Sequence, residues 1–156
     1  MDSTREIVKS VSRIWRIYNR QEPLFHAAMR LDMSYRCRCL LGKGFMVYAL
    51  FKKDIGRIYE EVKCTLNDGE LASIVRSTED LYPDEQDRNA FISGLLAGQE
   101  DLCESYETLL SHLDPESAAA VICSGHLEKL TELARNLADY NQRLSKQEPQ
   151  VQASVA

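Results

Sequence analysis

Between Ile92 and Leu113 the chain sets Ile92, Leu95, Gln99, Leu102, Tyr106, Leu109 and Leu113 in steps of three and four without a slip. On a helix that spacing gathers all of them on one face; on a strand it would scatter them over both. A helix with such a face has to bury it against another element, so this segment already directs the chain toward packed helices.

The same period governs the rest. From about Thr4 to Arg30 the stripe reads Val8, Val11, Trp15, Tyr18, Glu22, Phe25 and Met29, with Pro23 predicting a kink or short break near Gln21–Glu22. Ser34 is placed to cap a second helix reaching about Cys64, with Cys37, Leu41, Phe45, Tyr48, Phe51, Ile55, Ile58 and Val62 inward. Gly42 and Gly44 inside it are costly for a helix, which points to the close approach of another backbone. Asn67-Asp68-Gly69 ends that hairpin, Glu70 to Asp80 reads as a short helix, and the neighbourhood of Asp84 caps the third long helix. Past the tight turn Asp114-Pro115-Glu116-Ser117, a fourth helix carries Ala119, Ile122, His126, Leu130, Leu133, Leu137 and Tyr140 inward. Beyond Lys146 the stripe stops, and residues 147–156 read as a disordered tail. Two hairpins with tight turns and a long link between them predict an all-α, antiparallel four-helix bundle with one long crossover carrying a short helix. Residues 1–146 form its single domain.

Composition agrees with a packed core. Of 156 residues, 44% are apolar and 28% charged, too apolar for a disordered chain, and seven Gly and four Pro are too few for a fibre. No apolar run nears the roughly 20 residues that a membrane-spanning helix needs. The polar start Met1-Asp2-Ser3-Thr4-Arg5-Glu6 reads as no secretory leader, and five cysteines, an odd number, read as reduced thiols, so a cytoplasmic location is expected. Cys37 and Cys39 stand two apart, which on a helix turns them about 200° from each other and prevents joint chelation of one ion.

Charge is unevenly placed. Residues 1–65 hold 13 Lys/Arg against 7 Asp/Glu, a net +6, and residues 66–156 hold 6 against 17, a net −11. A basic hairpin beside an acidic one explains this without a partner. Arg36, Arg38, Lys43, Lys52, Lys53 and Arg57 are spaced among apolar residues rather than clustered, so no nucleic-acid partner is expected.

Three polar residues occupy positions the period reserves for Leu: Glu22, Gln99 and His126. A buried carboxylate requires a cation, a metal or several donors. Glu22 has His26 one turn on, and such a pair can share a metal or a proton. Each also has a plainer reading. Glu22 can face solvent or cap at the proline, Gln99 can fix helix register, and His126 can be a neutral core imidazole whose hydrogen bonding is satisfied. Tyr18, Tyr48 and Tyr106 are inward residues whose hydroxyls need partners.

The run Gly98-Gln99-Glu100-Asp101-Leu102-Cys103-Glu104-Ser105-Tyr106, then Leu109-Leu110 and His126-Leu127-Glu128-Lys129-Leu130, resembles the last hairpin of ferritin-like four-helix proteins. The nearest likeness is to a small uncharacterised bacterial group with a Gly-Glu-Asp…Tyr helix before a helix bearing an inward His. Glu22-Pro23-Leu24-Phe25-His26-Ala27-Ala28 is similar to that group's first helix. The resemblance implies a ferritin-like bundle and, for its metal-binding members, iron. Here an iron site would draw on Glu22, His26, Glu100 and His126. The departures count against it. Cys123-Ser124-Gly125-His126 has cysteine where a Glu-x-x-His site has glutamate, Gln99 is neutral, and Leu40 to Val47 offers neither Glu nor His.

No phosphate-loop, dinucleotide, hydrolase or zincin motif occurs. Cys123 and His126, three apart, are the remaining nucleophile pair. The sequence therefore favours a non-catalytic ferritin-like bundle acting through protein binding as a homodimer, with Val47, Leu50, Tyr59 and Leu96 as candidate surface residues. The alternatives are an iron-binding protein with a reduced site and a helical regulator or secretion chaperone gripping a helical partner.

Overall fold

Ser34 and Ser117 decide where two of the helices begin. Ser34 Oγ accepts from the Cys37 N–H at 3.3 Å, and Ser117 Oγ accepts from the Ala120 N–H at 3.1 Å. Each meets an amide that the first helical turn leaves without a partner, a contribution of about 1 kcal/mol. The computed structural model describes residues 2–31, 34–63 and 88–155, with side chains described for 4–31, 34–63 and 91–143. Among the described residues the elements are α1 (Asp2–Arg30), α2 (Tyr35–Lys63), α3 (Arg88–His112) and α4 (Ala118–Val155), with no strand. None of these helices is long and apolar enough to cross a membrane. The expected turn at Asn67, the short helix Glu70 to Asp80 and the cap near Asp84 lie outside the described residues.

The four helices pack on one another in a ring. α1 touches α2 and α3, and α4 touches α3 and α2, the last over the smallest contact of the four. Along α1 and α2, Trp15 meets Gly56, Tyr18 meets Tyr48 and Phe25 meets Phe45, so partner numbers fall as α1 numbers rise. They fall likewise from α1 to α3, where Tyr18 meets Tyr106 and Leu24 meets Gly94. The core is built from Ile14, Phe25, Leu41, Ile55, Ile92, Leu95, Leu102, Leu109 and Leu130 with their neighbours. Each fully buried aliphatic of this kind contributes roughly 1.5–3 kcal/mol.

The α3 face is the expected one: Ile92, Leu95, Gln99, Leu102, Tyr106 and Leu109 are all buried, with Leu113 partly so. On α1 the stripe residues Val8, Val11, Tyr18 and Phe25 are buried as expected, but the buried arc is wider than the stripe. Ile14, Ile17, Gln21, Leu24 and Ala28 are buried, whereas Trp15 is 37% exposed and Glu22 is open to solvent. The cause is that α1 packs between two neighbours and buries a wide arc, whose edge rather than centre carries Trp15. On α4, Cys123 takes the inward position expected of Ile122, which is 41% exposed.

Pro23 does not break α1, which stays helical on both sides of it. A helix docked on two neighbours can lose one backbone hydrogen bond and remain a helix. Gly44 and Gly98 are the glycines that matter. A Cβ at Gly44 would sit 3.0 Å from Phe25 Cε1, and one at Gly98 would overlap the Gln21 amide. Side chains, not a backbone, come close there, and Gly42 faces open space. At the far end, α4 is helical to Val155, past Lys146 where the apolar stripe ends. A stripe reports packing, and a helix once anchored can extend without one.

Candidate functional site

Each helix contributes one group to a chain of hydrogen bonds that crosses the bundle. Tyr18 on α1 and Tyr106 on α3 bring their hydroxyl oxygens to 2.6 Å. Tyr106 Oη lies 2.9 Å from His126 Nδ1 on α4, and His126 Nε2 lies 3.0 Å from Asp54 Oδ2 on α2. A carboxylate can only accept, so Nε2 carries the imidazole proton. Nδ1 then accepts from the Tyr106 hydroxyl, whose oxygen accepts from the Tyr18 hydroxyl. The result is a directed hydrogen-bond chain through all four helices, closed at the interior and opening to water at Asp54, whose side chain is 35% exposed.

Packing fixes this chain in place. Phe51 stacks on the His126 ring with centroids 3.8 Å apart and planes 13° from parallel, and Tyr18 sits edge-on to Tyr48 and Tyr106. Burial sets the protonation. It pushes the Tyr18 phenol far above its ordinary value, with the neighbouring Tyr106 adding to the effect. Burial does the same to Tyr106, against the opposing bond from Tyr18. The His126 imidazole is held below its usual value by desolvation, which outweighs the Asp54 carboxylate beside it. The Cys123 thiol is pushed up to about 12 by burial, with Asp54 adding to it. All four are therefore neutral near pH 7, and Cys123 is no activated thiolate.

The space around the chain is small. A cavity bordered by Tyr18, Glu22, Tyr48 and Lys52 measures about 10 Å³, room for one water and not for a substrate. A larger recess of about 450 Å³ lies between α1 and α2, lined by Ser12, Trp15, Gly56 and Tyr59 among others, and shares no residue with the chain. Lys52 covers one face of Trp15, with Nζ 4.9 Å from the ring centroid.

The four residues singled out for a metal do not converge. Glu22 is on the surface, its Oε2 3.4 Å from Lys52 Nζ. His26 is exposed and sits edge-on to Phe45, Glu100 is exposed on α3, and His126 has both nitrogens engaged within the bundle. Among the described residues no three His, Cys, Asp or Glu side chains are grouped to hold an ion. Two phenols, one imidazole and one carboxylate also fail to fit a pair of irons, which asks for about four carboxylates and two imidazoles. Of the adjacent pair on α1 it is Gln21, not Glu22, that is buried; its Nε2 donates to the Gly94 carbonyl at 3.4 Å. Asp54 escapes a reading of periodicity because it stands between the stripe positions Phe51 and Ile55 and meets His126 only through the tertiary fold. No family model, curated protein or solved structure matches the chain.

Proposed function

We propose that the protein is a non-catalytic bundle of ferritin-like, antiparallel connectivity that works by protein binding as a homodimer. The connectivity draws support from the contact order. Partner numbers fall from α1 to α2 and α3, and they fall likewise from α4 to α3 and α2, as antiparallel neighbours require. Against catalysis at this chain stands its chemistry: Tyr106 and His126 are neutral and bonded to one another, and the cavity that Tyr18 borders measures about 10 Å³.

The observation that carries the dimer is the start of α4. Ala118 to Gly125 holds no charged residue, and within it Val121 is 65% and Ile122 41% exposed. Small neighbours at Ala118 and Gly125, both exposed, let another helix come close. Leu50 is 59% exposed, as expected of a surface residue, while Tyr59 and Leu96 pack against the core. Light scattering of the full chain at tens of micromolar tests the reading. The expected mass is twice 17.8 kDa. The paired substitution V121E/I122E should return it to the monomer with unchanged helical circular dichroism; a monomeric parent protein overturns the proposal.

A further inference from the structure

The outward side of α2 carries a second stripe with helical spacing. Cys39, Lys43, Met46, Leu50, Lys53 and Arg57 follow in steps of four, three, four, three and four, and all are exposed. Met46 is 66% and Leu50 59% exposed, one turn apart at the middle of the stripe. Lys43 and Lys53 flank them and form no ion pair with any described residue. Arg57 beyond them reaches Asp54 only at 3.9 Å. Steps of three and four place the six on one line, with Met46 and Leu50 as its apolar centre and cations on either side, the pattern of a helix-docking face with charged flanks.

We infer that this stripe seats an acidic amphipathic helix of a partner protein. The inference rests on the protein-binding reading above, though not on the homodimer. Charge selects the occupant. A second α2 laid antiparallel about the centre of the stripe sets Lys43 against the other copy's Lys53, and a parallel one sets each lysine against itself. Both arrangements place like charges at the flanks of a two-residue apolar centre, which works against self-pairing here. A helix with leucines flanked by glutamates meets the apolar centre and both lysines at once. A lipid surface is the poorer fit, because helices lying in a membrane interface bury a broad apolar face, and this one is a single line interrupted by Lys43 and Lys53.

The test uses the full chain and a fluorescein-labelled amphipathic peptide of four heptads, with leucine at the seam and glutamate at its flanks. A charge-inverted peptide carrying lysine serves as the comparison, and phosphatidylserine vesicles form a third arm. The glutamate peptide should bind at least about tenfold more tightly than the lysine peptide. The K43E/K53E protein should reverse that order, and M46D/L50D should weaken both by at least about tenfold. Equal binding of the two peptides, an order untouched by K43E/K53E, or capture by vesicles without peptide binding overturns the inference. If M46D/L50D does not fold, the charge reversal still decides. Light scattering of V121E/I122E reads the dimer independently, so the two proposals can fail separately.

Discussion

His126 shows how much one buried side chain can commit. Its ring is 4% exposed, its nitrogens are both bonded, and desolvation holds its pKa below the unfolded value of about 6.5. The sign follows by linkage. Where the unfolded chain binds a proton that the folded one does not, stability rises with pH. The contribution of His126 is therefore whole above about pH 6.5 and falls as pH drops through that value toward the folded-state pKa. Denaturant midpoints measured from pH 7.5 to 5 should decline, and H126Q should flatten the part of the slope that lies nearest pH 6.5. A slope identical in the two proteins would reject this account. His126 was legible in the sequence because a polar residue stood where the period asks for Leu. Asp54 was not, since half-exposed acids between stripe positions are common and the pairing spans 72 residues.

At the level of single helices, α3 was readable in full and α1 only in part. α3 shows a narrow stripe with one polar member, Gln99, so period and burial coincide. α1 has apolar residues at Ile14, Ile17 and Leu24 beside the stripe chosen for it, and a wide apolar arc does not reveal which line lies at its centre. Trp15 and Glu22 consequently read as inward and lie at the rim. The seam between α1 and α3 depends on a missing side chain. Gln21 lies across Gly98, and a methyl there would fall within bonding distance of its amide. Gly98→Ala removes a helix-weakening glycine, a gain of about 1 kcal/mol, yet should lower stability by about 1–3 kcal/mol net because Gln21 must leave a buried site. Urea unfolding measures it. A net gain in stability would show that Gln21 moves aside freely.

Across the whole molecule, the polar chain acts as a clasp, and its His126–Asp54 link crosses the α2–α4 seam, which has the smallest contact of the four. Tyr106 serves both α1 and α4, so Tyr106→Phe removes two bonds with one oxygen. It leaves the Tyr18 hydroxyl without its acceptor and His126 Nδ1 without its donor. The expected cost is about 1–3 kcal/mol, read as a lower urea midpoint within a single cooperative transition. Separate transitions for the two hairpins would mean that the clasp holds them together by itself. The ring arrangement has a last consequence. α2 and α3 lie diagonally opposite, and their outer sides differ in sign: Lys43 and Lys53 on one, Glu100, Glu104 and Glu107 on the other. Within the described residues, the protein is thus electrically lopsided across its width. In dilute buffer a charged neighbour would turn it flank-first before any contact forms, and added salt would erase that alignment.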